Sequence, residues 1–372
     1  VYDLTESSAA VGAIGIVQLV PMILASMLIG PVIDRRDRRS LLLVAQAGQA
    51  AASSLLLVGA LVGDPPLPLL YAAAALNGAL TTVALPTRAA MTPNLVPIAL
   101  LPSANALNQV MWNTASIAGP ALGGVVVARL GLEWAYGVDV ATYVVAFAFA
   151  LALRRMPPEH DDDAERDEGV AAVLAGVRYL RGRPVLQSTF TVDLAAMVFA
   201  MPRALFPVLA VERFGGDEAT VGLLFSAIGF GALLGALGSG WVGGVQRMGR
   251  AVLVSVTLWG LGIIGFGLVG DRLAPALVFL ALAGAADVIS AVFRGAIQQL
   301  SVPDALRGRL SAFNILVVTG GPRLGDFQMG LVAAATSPTV AVVAGGVLCV
   351  VGVGAVASRV PQFARWRVGD PV

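Results

Sequence analysis

Eight ionisable side chains interrupt apolar runs in this 372-residue chain: Arg88, Asp139, Asp193, Arg203, Asp287, Arg294, Arg323 and Asp326. A charge at mid-bilayer costs at least ~3 kcal/mol on insertion scales, so each needs an opposite charge or a wet cavity. In such a place an aspartate can take up and release a proton, and an arginine can tune that aspartate or hold an anionic group. The alternative chemistry is a static ion pair that only helps assembly. Spacing separates the cases. Asp287 and Arg294, seven apart, share one helix face. Arg323 and Asp326, three apart, can meet directly. Asp193 and Arg203, ten apart, are nearly a quarter turn out of register, so each is expected to pair across helices.

The elements that carry these residues are apolar runs near 10–33, 40–62, 67–92, 103–129, 134–153, 186–211, 219–244, 251–270, 273–298, 308–333 and 337–359. Each is long enough to cross a bilayer, which takes about 20 residues. The composition agrees: 57% hydrophobic and only 13% charged, where an ordinary soluble domain carries roughly 25% charged residues. A polytopic helical membrane protein is the expected class. All 24 basic residues are arginine. The lone cysteine, Cys349, lies in an apolar run, which excludes a disulfide framework or a thiolate metal site.

Sidedness follows from where the arginines lie. The turn Gly30-Pro-Val-Ile-Asp-Arg-Arg-Asp-Arg-Arg39 holds four of them within five residues. The same set of alternate connections holds Arg154 through Arg183, Arg247, Arg250, Arg307, Arg309, Arg359, Arg365 and Arg367, seventeen of the 24 in all. The opposite connections hold Asp3, Glu6, Asp64, Glu133, Glu212, Asp217, Glu218 and Asp271, with only Arg129, Arg213 and Arg272 nearby. The positive-inside rule then puts the C-terminus in the cytoplasm and residue 1 outside. The chain opens on Val1 without a methionine, and an N-terminal segment with one more helix is expected before it. Trp134, Trp241 and Trp366 fall at span ends, where interfacial tryptophans are expected.

One long polar connection, 154–185, divides the chain into an N-terminal bundle (1–153) and a C-terminal bundle (186–372). It contains Pro157-Pro158-Glu-His-Asp-Asp-Asp163, read as a solvated acidic loop, and an amphipathic piece around Val170–Leu180. The halves repeat. Arg88, Pro97, Asn108 and Gly119 find the same residue type 206 positions later, at Arg294, Pro303, Asn314 and Gly325, and Val11-Gly12 matches Val221-Gly222 at an offset of 210. Duplicated bundles bind substrate between the repeats near the midplane and rock about it.

At these residues a resemblance becomes specific. Gly30-x-x-x-Asp34-Arg35-x-x-Arg38-Arg39 resembles the loop signature of the major facilitator superfamily, between its second and third helices. Asp37 stands where that family has glycine, a change expected to loosen the turn slightly. Gly119-Pro120-x-x-Gly123-Gly124 resembles the fifth-helix antiporter motif, with Ala115 in place of its upstream glycine. Pro86-Thr-Arg88 through Pro93-Asn-Leu-Val-Pro97, and Met201-Pro-Arg-Ala-Leu-Phe-Pro207, are similar to the enterobactin-exporter and macrolide-efflux branch. The resemblance implies an all-α major facilitator fold of two pseudo-symmetric bundles, with helices two to twelve of twelve present. It implies a gate at Gly30, Asp34, Arg35, Arg38 and Arg39, with Asp34 pairing an arginine or a helix N-terminus. It places Asp193 and Asp287 on cavity-lining helices and Asp139 on a peripheral one. Proton coupling or substrate binding is then expected at Asp193, Arg203, Asp287, Arg294, Arg323 and Asp326. Arg88 and Arg294 are as much expected to gate or to snorkel as to bind.

Gln109, Trp112, Asn113, Gln298 and Gln299 are further candidates for the cavity wall, with plain interhelical hydrogen bonding the alternative. Gly229, Gly231, Gly235, Gly238 and Gly240 are expected to make a smooth packing face. They are not a nucleotide loop, which needs a lysine and a flanking strand. The expected activity is secondary export of a siderophore, macrolide or similar amphipathic compound by alternating access with proton antiport. Proton-coupled uptake of a metabolite is the alternative. A membrane-embedded transferase would need an acidic or metal-binding surface motif, which the linker lacks, so no enzyme, metal or cofactor is expected. The expected partners are the small-molecule substrate, protons and the lipid bilayer, without nucleic acid, around a monomer.

Overall fold

The computed structural model describes residues 1–63, 65–97, 100–156, 174, 177–302, 304–367 and 370. A short helix α1 (Tyr2–Thr5) leads into α2 (Ser8–Arg35), α3 (Arg38–Val62), α4 (Leu67–Leu95), α5 (Leu101–Leu130) and α6 (Leu132–Ala152). The second series is α7 (Pro184–Phe199), α8 (Phe206–Glu212), α9 (Glu218–Leu237), α10 (Met248–Leu268), α11 (Leu273–Ser301), α12 (Asp304–Ala335), α13 (Pro338–Arg359) and the short α14 (Pro361–Arg365). Four starts are fixed by side-chain caps: Ser7, Asp37, Asp217 and Ser337 each accept the backbone N–H three residues on. α5 turns into α6 at the single residue Gly131, whose φ of 95° only glycine adopts without strain.

Ten helices among the described residues are long and apolar enough to cross a membrane, where the sequence suggests eleven spans. The eleventh is α12. At 32 residues it has the length, but its charged and polar residues lower its hydropathy. The expected span 186–211 is interrupted rather than continuous. Pro202 has no N–H to offer the preceding turn, so α7 stops and the chain restarts through a 3₁₀ turn, Arg203–Leu205, into α8. The Trp259 indole donates to the freed Ala200 carbonyl at 3.2 Å. The expected span 219–244 is α-helical only to Leu237 and continues as a 3₁₀ turn through Gly244. Trp134 and Trp241 are exposed, as interfacial residues should be. Trp366 is buried instead, its indole donating to the Asp370 carbonyl. Of the amphipathic linker piece, residues 174 and 177–180 are described, and they are helical. The acidic run His160–Asp163 lies outside the described residues.

The helices form two pseudo-symmetric bundles. In the first, α2 packs on α4, and α3 on both α4 and α6; in the second, α10 packs on α11 and α13, and α9 on α11. Phe190, Phe206, Trp259, Phe266 and Phe293 anchor a continuous apolar core in the second bundle. The two bundles meet along two seams, α2 against α12 and α5 against α9. Glycines make both. A methyl on Gly330 would stand 2.6 Å from the Ser8 carbonyl, and one on Gly12 would stand 2.8 Å from the Asp326 carbonyl. In the other seam a methyl on Gly124 would stand 2.6 Å from the Glu218 carbonyl, and one on Gly222 would strike the Pro120 carbonyl. Ser8, Gly12, Asp326 and Gly330 correspond to Glu218, Gly222, Pro120 and Gly124 at the repeat offsets of 210 and 206. The duplication visible in the sequence is therefore the pseudo-two-fold of the seams.

Both seams lie in the same half of the molecule: the first halves of α2 and α9, the second halves of α5 and α12. That end carries Glu6, Glu133, Glu212, Asp217, Glu218 and Asp271, and is called the acidic end below. Tyr2 donates a hydrogen bond to Glu212 there. The opposite, basic end carries the Arg36–Arg39, Arg154 and Arg247–Arg250 connections.

The glycines of α5 and α9 differ in what they touch, which gives a contrast to test. Gly222→Val should force the seam apart and cost about 1–3 kcal/mol, seen as a lower melting temperature of the purified protein in detergent. Gly119→Ala should melt unchanged or higher, since a methyl at Gly119 meets nothing within 4 Å.

Candidate functional site

The membrane-embedded charges gather into two clusters in the second bundle. The first joins α7 and α11. Arg294 Nη2 lies 2.8 Å from Asp193 Oδ1, with both side chains buried. No N–H points along that line, so Oδ1 accepts no hydrogen bond and the contact is purely one of charge. Arg294 Nη1 donates to Ser290 Oγ at 3.0 Å, one turn earlier on α11. Asp287 is half-buried and close enough for its charge to act on Asp193. Asp193 thus pairs across helices, as its register implies. Arg294 turns to Asp193 and Ser290 rather than along its own helix to Asp287. Next to it, Gln298 donates to Thr189 Oγ1 across the same two helices.

The second cluster sits where α7 breaks. Arg323 and Asp326 face each other at 3.8 Å on α12. Asp326 Oδ1 is buried and accepts no hydrogen bond, and the Arg203 charge acts on both residues of the pair. Gly325 backs onto the break, where a methyl would stand 3.3 Å from the Val198 carbonyl. A methyl at Gly15 of α2 would stand 3.0 Å from Asp326 Cβ. The cluster therefore abuts the α2–α12 seam on its basic-end side.

In the first bundle Ser53 donates a hydrogen bond to Asp139, joining α3 to α6. Arg88, the repeat partner of buried Arg294, is exposed on α4. A cavity of about 620 Å³ lies near the acidic end, with Gln18, Ser53, Asn77 and Tyr136 as its polar lining from the first bundle and Pro207 and Val211 facing them from α8. Gln298 and Gln299 do not line it. Trp112 is exposed, and the side chains of Gln109 and Asn113 lie outside the described residues.

The arginine-rich loop is pinned inside the first bundle. Asp37 accepts the Met156 N–H at 2.7 Å, and the Ser40 N–H and hydroxyl at 3.3 and 2.8 Å. Arg38 Nη1 donates to the Ala90 carbonyl of α4, and Arg39 donates to Ala150 and Leu151 at the end of α6. Cations on C-terminal carbonyls are favourable because those carbonyls have no helical partner. Desolvation pushes the Asp37 carboxyl upward, but the hydrogen bonds from Met156 and Ser40 outweigh it and hold it below the usual carboxylate range. Asp37 consequently tightens the turn instead of loosening it, by serving as the N-cap of α3. The side chains of Asp34 and Arg35, and that of Gly30, lie outside the described residues.

The Gly119–Gly124 motif divides in function. Gly124 and Pro120 make the α5–α9 seam, while Gly119 and Gly123 face open space. Pro120 lies inside the continuous helix α5, and the nearby Ile117 carbonyl accepts the Ser226 hydroxyl from α9 at 2.9 Å. On α9, Gly229 packs on Ile117, and Gly231 and Gly235 pack on the backbone of α11 at Ala281 and Ala285. Gly238 and Gly240 touch nothing within 4 Å, so the smooth face is shorter than expected.

Two seamed, duplicated bundles with paired charges inside the membrane define a major facilitator superfamily secondary transporter, a multi-span integral membrane protein rather than an enzyme. The chain belongs to the family described as transmembrane secretion effectors, matched over residues 1–367. It is 28% identical over 352 residues to the enterobactin exporter of Citrobacter koseri, covering 94% of this chain and 83% of that one. It is also 28% identical over 333 residues to the enterobactin exporter of Shigella boydii, covering 89% and 79%. Among solved structures, the nucleoside transporter NupG superposes with a TM-score of 0.71 at 12% identity, over 97% of this chain and 91% of that one. A POT family transporter in complex with 5-aminolevulinic acid superposes with a TM-score of 0.73 at 12% identity, over 95% and 88%. These last two share the fold.

Removing one partner of a buried ion pair leaves an uncompensated charge and costs about 3–5 kcal/mol, whereas replacing both with apolar groups is often neutral. Arg294→Met alone should therefore sharply reduce folded protein on size-exclusion chromatography, and Asp193→Leu combined with Arg294→Met should restore it.

Proposed function

We propose that this protein exports an amphipathic small molecule of the siderophore or macrolide class across the inner membrane by alternating access, driven by proton antiport. The observation that carries the reading is the match, along 94% of the chain, to a protein named an enterobactin exporter. The arginine distribution supports a cytoplasmic basic end and C-terminus. With that orientation the glycine seams join the bundles toward the outer side, where the cavity of about 620 Å³ between them also lies. Residues 1–153 and 186–372 rock about the seams as two units joined by the linker 154–185, within a monomer.

In this scheme the loop at Gly30, Asp34, Arg35, Arg38 and Arg39 gates the cytoplasmic side. Its anchoring to α4 and α6 makes it move as one piece with the first bundle. Gly119, Pro120, Gly123 and Gly124 form the flexible side of the α5–α9 seam. Asp193 holds the guanidinium of Arg294 while Asp287 beside it has no ion pair among the described residues, so this cluster has an acid to spare and is where a proton is exchanged. Arg203, Arg323 and Asp326 face the substrate.

A strain lacking the full-length protein should retain siderophore inside iron-starved cells and release less into the medium, read by mass spectrometry of both fractions. Unchanged partition, with new sensitivity to lipophilic drugs, would replace the siderophore reading with multidrug efflux. In proteoliposomes, Asp193→Asn and Asp287→Asn should each uncouple transport from an imposed pH gradient. Asp287→Asn is the cleaner variant, since it leaves the Asp193–Arg294 pair in place. Full coupling in both would make the cluster a static one.

A further inference from the structure

We infer that Arg203 and Arg323 together form an anion-binding subsite at the inner edge of the α2–α12 seam, taking a carboxylate or catecholate group of the transported molecule. This rests on the exporter reading and adds to it the charge class of the substrate.

Three observations carry the inference. The first is charge balance. Asp193, Asp287 and Arg294 sum to one negative charge, while Arg203, Arg323 and Asp326 sum to one positive charge. The two clusters are separate, each with its own contacts. A net cation held inside a span requires an anion or water.

The second is donor use. Several other arginines spend their N–H groups on protein oxygens. Arg294 donates to Ser290, Arg213 to Phe266, Gly267 and Gly270, Arg39 to Ala150 and Leu151, and Arg183 to Tyr179. Among the described residues neither Arg203 nor Arg323 donates a hydrogen bond. The Arg323–Asp326 contact, at 3.8 Å, is too long to be one. Two planar forks with free donors are what bidentate recognition of a carboxylate or vicinal diolate needs.

The third is position. Arg203 is exposed and the Arg323 side chain is 39% exposed, so both can be reached. Arg323 lies about 18 Å from the end of α12, by the helical rise, which is deeper than the headgroup layer. It also lies on the basic-end side of Gly12 and Gly330, where the seam closes.

The test uses the full-length protein in phosphatidylcholine proteoliposomes. It measures binding of two probes, the anionic catecholate 2,3-dihydroxybenzoate and the uncharged amphiphile Nile red. Arg203→Gln and Arg323→Gln should each weaken catecholate binding about tenfold or more and leave Nile red binding unchanged. Arg323→Lys should recover part of the loss, because it keeps the charge and loses the fork. Unaltered catecholate affinity in both Gln variants, or no catecholate binding by the wild type, would overturn the subsite. Equal loss of both probes would also overturn it, by showing a structural role. Displacement of catecholate by added phosphatidylglycerol would assign the arginines to lipid headgroups and overturn it too. Arginine-dependent binding without net transport of the catecholate would uphold the subsite and count against the exporter reading instead.

Discussion

Gly12 against Gly330 and Gly124 against Gly222 bring backbone to backbone at a separation that admits no side chain. In hydrocarbon, helices gain nothing from hiding apolar surface, since lipid is as apolar as leucine. Association depends on close packing and on the few polar contacts available. The two glycine contacts are therefore where one bundle holds the other. They sit together near one end, and the rest of the molecule's organisation follows from that. The acidic end is joined and the charged cluster at the α7 break is pressed against a seam. The Asp193–Arg294 pair stays wholly within the second bundle, untouched by the junction.

The duplication gives the two seams the same backbone and different chemistry. Where the α5–α9 seam has Ile117 and Pro120, the α2–α12 seam has Arg323 and Asp326 at the corresponding positions. There the Ser226 hydroxyl of the opposite bundle reaches the Ile117 carbonyl, and no charge stands at that level. The other carries an ion pair at the same level. The same asymmetry runs through the cores. The second bundle has a continuous apolar interior. The small core described in the first, Leu42, Met91, Ala150 and Met156, lies beneath the arginine-rich loop. One copy has kept packing and charge together, and the membrane-embedded ion pairs found here lie within it.

Much of this was legible in the sequence, and the part that was not has a common cause. Apolar run length located the helices, and the eight interrupting charges located both clusters. The offsets of 206 and 210 already contained the seam glycines, because Gly124 and Gly330 are one offset apart and Gly12 and Gly222 the other. What spacing along one helix cannot reveal is who faces whom across helices. Asp193 and Arg294 are about a hundred residues apart, and their meeting depends on how α7 and α11 rotate about their axes. Within one helix, Arg323 and Asp326 were readable because i and i+3 are neighbours by geometry alone. Asp37 was misread because the family pattern has glycine there. Its capping role was present as a local signal, an aspartate three residues before Ser40, whose N–H it accepts. The break at Pro202 was likewise visible as a proline within an apolar run, and length alone hid it.

The absence of lysine narrows how the embedded charges can work. A guanidinium keeps its proton under all ordinary conditions, whereas a buried lysine can lose it. Every cation in these spans is therefore permanent, and any proton that enters or leaves the second bundle must travel on an aspartate. In the α7–α11 cluster Asp193 holds the one fixed cation and Asp287 adds a second negative charge beside it, so protonating Asp287 relieves repulsion without unpairing Arg294. In the cluster at the α7 break two fixed cations share one carboxylate, so protonating Asp326 would leave both uncompensated, and an anion is the natural counter-charge. Under the proposed exchange, proton and anion would sit at different places along the same interrupted helix. That separation is what an exchanger needs if the two cargoes are to move in opposite directions through one passage.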